Sequence, residues 1–231
     1  MKKGQSYFLF SLIFLNFADR NQKTALMTDL STNNPFPPTL PKEELAALPA
    51  APFEGNIRLI DKEEDVARAV AALRSSDIVG FDTETRPNFK KGQNHRVSLI
   101  QLSTRSTCYL FRINKIGLHA ELRALLEDPD MLKVGLSLHD DFHNLRIISE
   151  LNPAGFIDLQ KYVGKIGIEE KSLAKIYGIM FGKRISKGQR LTNWEADELS
   201  EAQQRYAALD AMACIEIYER VNENLSAPTA L

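Results

Sequence analysis

Three short runs rich in β-branched and aromatic residues, at 78–84, 97–103 and 108–113, stand close together in the chain and read as strands. A strand at 57–60 and a helix at 63–75 precede them. Helix 118–126, strand 132–136, helix 141–150, a short strand at 156–159, helix 171–181 and a long helix at 201–224 follow. Closely spaced strands first, then strands alternating with helices, admit few architectures. The order specifies a three-layer α/β fold whose mixed central sheet carries helices on both faces. The first helix has a cap signal in Asp61-x-x-Glu64 and an apolar stripe of Val66, Val70 and Leu73.

At 231 residues and 44% apolar the chain can bury one sizeable core, which favours a single domain over 56–224. Six of the ten prolines fall between Pro35 and Pro52, so 27 to about 55 reads as an extended leader too proline-rich for regular helix or strand. Residues 1–55 are thus expected to be a poorly ordered tail and leader, and 225–231 a C-terminal tail. Lys2 and Lys3 precede an apolar run at 7–17 in the order of a secretory signal, but the run is too short to span a membrane and no A-x-A-like cleavage site follows. With Met27 as an internal start, the first 26 residues read as a tail, and no membrane is expected for the folded domain. Cys108 and Cys214 both sit in apolar segments, as buried reduced thiols do, which points to the cytoplasm. A net charge of -1 does not advertise a nucleic-acid binder, for which a general basic stripe is the usual footprint. Any phosphate contact must be local or made through bound metal.

The sharpest local feature is Ile78-Val79-Gly80-Phe81-Asp82-Thr83-Glu84-Thr85, an apolar strand ending in two acids one residue apart. Side chains alternate along a strand, so Asp82 and Glu84 point the same way. Two carboxylates so placed repel unless a cation neutralises them, and hard oxygen ligands select Mg²⁺ or Mn²⁺. A solvated strand end or a salt-bridged pair looks the same in isolation. The second feature is the strand-to-helix passage 134–145, with His139, Asp140, Asp141 and His143 in it. Asp141, Leu145 and Ile148 share one helical face, while Asp140 is the better N-cap. Both aspartates could also merely cap the helix and complement its dipole. The third is Tyr206-Ala207-Ala208-Leu209-Asp210, in which Tyr206 and Asp210 are neighbours on one helical face amid small apolar residues. An acid in such surroundings should be paired or metal-bound, because burying it alone is costly.

Together these segments resemble the DEDD exonucleases, in the ribonuclease D and Werner-syndrome exonuclease branch. The resemblance covers about 56–222. It matches Asp82-Thr83-Glu84 to the first motif, Asp141 with Leu145 four later to the second, and Tyr206-x-x-x-Asp210 to the third. Val97-Ser98-Leu99-Ile100-Gln101-Leu102 and Leu191-Thr192-Asn193-Trp194 also look familial. Arg205 stands where the histidine subclass has its histidine, so Tyr206 assigns the tyrosine subclass. The resemblance implies a ribonuclease H-like fold and hydrolysis of phosphodiesters from the 3′ end, releasing nucleoside 5′-monophosphates with two divalent cations, Mg²⁺ or Mn²⁺. It implies that Asp82 bridges both ions, that Glu84 and Asp210 complete one site, that Asp141 holds the other ion and that Tyr206 orients the attacking water. It also suggests that Thr83 and Thr85 touch the terminal nucleotide, although both are equally good strand residues.

Lys183, Arg184, Lys187 and Arg190 cluster before Trp194 and could meet phosphates, with a solvated loop as the alternative. Lys90, Lys91 and Arg96 form a weaker cluster. Trp194, the only tryptophan, reads as a core anchor rather than a stacking platform. None of the four histidines has convincing zinc spacing, though His139 and His143 lie near the second motif. The partner is then nucleic acid. Ribonuclease D proteins typically carry extra helical domains, for which no residues remain here, and this tilts the expectation to a stand-alone exonuclease on DNA. An RNA 3′-end trimming enzyme is the same-class alternative, and a non-catalytic nucleic-acid-binding module of the same fold is the other. Oligomeric state is not legible.

Overall fold

The computed structural model describes residues 35–90, 92 and 94–226; the expected tail at 1–26, Met27, Lys91 and the chain beyond Ser226 lie outside the described residues. Six strands, β1 (Asn56–Ile60), β2 (Val79–Thr85), β3 (Val97–Ser103), β4 (Thr107–Phe111), β5 (Lys133–Gly135) and β6 (Phe156–Asp158), form one sheet in the order β1-β4-β3-β2-β5-β6. β2, β3 and β4 are antiparallel neighbours, while β1 runs parallel to β4, β5 to β2 and β6 to β5. This is the mixed sheet expected from the strand spacing. β3 is buried at every position, as a central strand covered on both faces must be.

The helices are α1 (Lys42–Ala47), α2 (Glu63–Arg74), α3 (Ile113–Ile116), α4 (Ala120–Leu126), α5 (Leu138–Arg146), α6 (Leu159–Tyr162), α7 (Leu173–Phe181) and α8 (Glu201–Ser226). Two cores result. On one face Val66, Val70 and Leu73 of α2, Leu122 and Leu125 of α4 and Leu145 of α5 pack with Phe81, Ile100 and Leu102. On the other, α7 and α8 pack with Leu99, Leu110 and Val134. Among the described residues no helix is long and apolar enough to cross a membrane.

Three local expectations are corrected. The cap of α2 is Lys62 with no side-chain cap bond, so Asp61 does not cap it. α5 begins at Leu138 rather than Asp141, and its N-cap is Ser137 in the left-handed region (φ 63) rather than Asp140. The largest difference is at residues 36–55, which are not an unstructured leader. Pro41 is the N-cap of α1, a place where the missing N–H is no loss, and Pro49 lies beyond its end, so the prolines frame the helix instead of interrupting it. Leu40, Leu45 and Phe53 are buried in the same core as α7 and α8. Ala50 pairs with Arg184, with N–H···O distances of 2.8 and 2.9 Å on either side of it.

Candidate active site

Gly80, Asp82 and Glu84 alternate onto the face of β2 that meets α8. Gly80 allows the meeting: a Cβ there would lie 1.9 Å from the Ala211 carbonyl oxygen. Helix and strand backbones therefore touch at Gly80, and two residues further along β2 the carboxylate of Asp82 comes level with that of Asp210. Oxygens of Asp82, Glu84 and Asp210 all lie within 4.8 Å of one another. Asp210 and Glu84 are buried, and Asp82 is half-buried. A cavity of about 170 Å³ opens over Asp82 and Asp210, lined also by Tyr206, Lys187 and Arg190.

Asp141 stands beside this trio but not in it. The Thr83 hydroxyl, on the opposite face of β2, donates a hydrogen bond to the Asp141 carboxylate. Asp158, at the end of β6, accepts from the backbone N–H of Ser137 and of Leu138 at 3.2 Å each, and from Gln160 N–H at 2.9 Å. One carboxylate thus caps both α5 and α6, the first of which the sequence pattern assigns to Asp140. The left-handed turn at Ser137 lets α5 start early enough to bring Asp141 to the sheet edge.

The electrostatics follow from burial and crowding. Burial, then the charges of Asp141, Asp210 and Glu84, push the Asp82 carboxyl well above the usual carboxylate range. Burial, followed by Asp210 and Asp141, raises Glu84 to about 9, with Arg190 opposing. Asp210 is raised to about 7, chiefly by burial, against the Tyr206 hydrogen bond and the charge of Lys187. Burial and the nearby carboxylates raise the Tyr206 phenol too, so it stays protonated and donates. A cluster made only of hard carboxylate oxygens, crowded enough to resist ionisation, is the donor set a divalent cation such as Mg²⁺ or Mn²⁺ relieves. Gln101, the cross-strand partner of Asp82, is buried with neither amide atom hydrogen-bonded, a further sign of polar capacity at this spot.

Residues 57–226 match the 3'-5' exonuclease family. The chain belongs to that family. It is 34% identical over 155 residues, 64% of the chain, to the mouse bifunctional 3'-5' exonuclease/ATP-dependent helicase WRN, and 30% identical over 220 residues, 87% of the chain, to an Arabidopsis thaliana 3'-5' exonuclease. It spans 74% of the Arabidopsis protein but only 11% of the mouse one. The Aedes aegypti Nibbler EXO domain superposes with a TM-score of 0.68 at 25% identity, over 77% of this chain and 93% of that one.

The exonuclease domain places the remaining expected residues unevenly. Lys187 and Arg190 are exposed at the cavity, whereas Lys183 points to solvent and the backbone of Arg184 is taken up by residues 49–51. Thr85 is half-buried beyond Glu84. His139 and His143 are exposed on α5. Trp194 is fully buried, its ring centroid 6.2 Å from that of Tyr206, as a core anchor for the exonuclease's tyrosine. Sequence reasoning missed the supports. Ser200 and Gln203 form a reciprocal capping box at the start of α8, with bonds of 3.2 and 3.0 Å, and the Gln203 amide also donates to Thr192 Oγ1 and to the Asn193 carbonyl. The Ser-x-x-Gln pattern before a helix was the available signal. The buried Arg112 donates to the carbonyls of Ala196 and Asp197, which no local pattern announces.

Proposed function

We propose that the domain hydrolyses phosphodiester bonds stepwise from the 3′ end of nucleic acid, DNA in our reading, releasing nucleoside 5′-monophosphates, with Mg²⁺ or Mn²⁺ at its acids. The observation that carries this reading is the convergence of Asp82, Glu84 and Asp210 within 4.8 Å, beside a cavity where Asp82 and Asp210 meet Tyr206, Lys187 and Arg190. DNA as the polymer rests on the resemblance to the Werner-syndrome branch. A reducing cytoplasm is the compartment that suits the two buried free thiols.

Hydrolysis adds the oxygen of water to the phosphorus of the last phosphodiester and breaks its bond to the preceding nucleotide's O3′, which leaves with a proton as the hydroxyl of the shortened strand. In this reading Asp82, Glu84 and Asp210 would hold one cation, and Asp141, fixed by Thr83, would help hold a second. Bound there, the ions supply Lewis-acid polarisation of the phosphate and lower the pKa of the attacking water. Tyr206 positions that water by a hydrogen bond, because its phenol keeps its proton. Lys187 and Arg190 draw the phosphates of the strand into the cavity.

A degradation ladder tests it, on 3′- and 5′-labelled DNA and RNA oligonucleotides with Mg²⁺, Mn²⁺ or EDTA. Metal-dependent shortening from the 3′ end is expected, abolished in Asp82→Ala and slowed on the order of 10²-fold in Tyr206→Phe. Faster shortening of RNA would make it a trimming enzyme. Binding without shortening, unchanged in Asp82→Ala, would leave only a nucleic-acid-binding module.

A further inference from the structure

Four large apolar side chains are strongly exposed among the described residues, and Phe89, at 75%, is the most exposed of them. It lies in the connection between β2 and β3, which leaves the sheet just past Glu84, at the end where the acids stand. Residues 86–96 carry Arg86, Lys90, Lys91, His95 and Arg96 and no acid, in a chain whose net charge is -1. Lys90 and Arg96 are exposed and form no ion pair with a described residue. The two described ends of the connection are nonetheless held in place. Arg86 Nη1 meets Glu195 Oε2 at 3.1 Å, and His95 Nδ1 lies 2.9 Å from Glu195 Oε1, so a single carboxylate grips the connection at both ends. Glu195 directly follows Trp194, at the end of the loop that presents Lys187 and Arg190 to the cavity. Leu191, 61% exposed, sits on that same loop.

An aromatic ring kept in water, flanked by unpaired cations and braced against the loop beside the acids, matches what binds unpaired nucleic acid: a stacking face for a base and charges for the backbone. A duplex hides its base faces, so the ligand such a ring fits is single-stranded. We propose that the β2–β3 connection grips single-stranded nucleic acid upstream of the scissile bond, with Phe89 stacked on a base and Lys90 and Arg96 on phosphates. Glu195 is its positioning residue, acting through Arg86 and His95. The location of the 3′ end in this proposal rests on the exonuclease reading above.

The test measures fluorescence anisotropy of a labelled 12-nucleotide single-stranded DNA with metal chelated, alongside hydrolysis of the p-nitrophenyl ester of thymidine 5′-monophosphate, a substrate with no upstream base. Phe89→Ala is expected to weaken oligonucleotide binding roughly tenfold and to raise KM for the oligonucleotide by a similar factor. Its rate on the small ester should match the wild type, and Phe89→Trp should restore binding. Lys90→Ala should weaken binding and flatten its salt dependence. Oligonucleotide affinity unchanged in Phe89→Ala, or a Phe89→Trp variant no better than alanine, would overturn the proposal. If the wild type hydrolyses neither substrate, the exonuclease reading fails, while the anisotropy comparison still decides whether Phe89 stacks on the strand.

Discussion

At the scale of single residues, Lys133 makes the clearest demand on solution conditions. It is fully buried in β5, donates to the carbonyls of Asp128 and Met131 at 2.8 and 2.9 Å, and lies 5.0 Å from the centre of the Phe156 ring. Burial lowers its pKa from 10.5 to about 8. Between those two values the unfolded chain holds a proton that the folded chain has given up, so unfolding becomes harder as pH rises from 8 to 10.5. Below pH 8 both states are protonated and the cost of the buried ammonium is constant. Denaturant unfolding of the wild type and of Lys133→Met at pH 7.5 and 10 should therefore show the wild type gaining on the variant at the higher pH, by an amount on the order of 3 kcal/mol at most. A pH-independent difference would mean that the buried lysine keeps its ordinary pKa in the folded chain. The approach of Asp82, Glu84 and Asp210 to one another was legible beforehand, because each stands in a local pattern whose geometry a strand or helix fixes. Thr83, read as a nucleotide contact or a good strand residue, donates its hydroxyl hydrogen bond to Asp141. Asp158 escaped notice because its partners at 137 and 138 lie a whole helix and loop away in sequence.

Among the elements, the 36–53 segment carries the sharpest departure from the sequence reading. Proline count alone argued for an extended leader, but what decides is where the prolines fall: Leu40, Leu45 and Leu48 remain free to face α7 between them, and Gly178 provides the room, since a Cβ there would lie 2.7 Å from Leu40. The strand and helix order was legible because each element declares its own period. Docking of a short helix onto a distant one is not, because it depends on a complementary surface formed from residues more than a hundred positions later. Burying Leu40, Leu45 and Phe53 is worth about 1.5–3 kcal/mol apiece, less the entropy of ordering the segment. A chain beginning at Gly55 should accordingly lose a few kcal/mol in chemical denaturation and bind a hydrophobic dye more strongly than one beginning at Pro35. Equal stability of the two would show that the segment rests on the domain without supporting it.

For the molecule as a whole, the proposed metal site joins catalysis to stability. Three buried or half-buried carboxylates held within 4.8 Å repel one another in the folded chain and separate freely in the unfolded one. A divalent ion that binds only the folded form should raise Tm with concentration, and at a hundred times its Kd should add about 2.7 kcal/mol. Differential scanning fluorimetry against Mn²⁺ and Mg²⁺ should show this rise in the wild type and its loss in Asp210→Asn. A rise of the same size in both would place the ion elsewhere.

The bare patch at Gly80 also sets a time at which the domain can work. The first two acids are made early, on a strand near the start of the domain, but the surface that closes over Gly80 belongs to its last helix, and Asp210 arrives with it. Until that helix has left the ribosome and settled on the sheet, the cluster has two members, Tyr206 has nowhere to sit and the proposed site is incomplete. On the proposed function, a nascent chain is thus harmless to any strand around it, and its site is assembled in the same event that completes its fold.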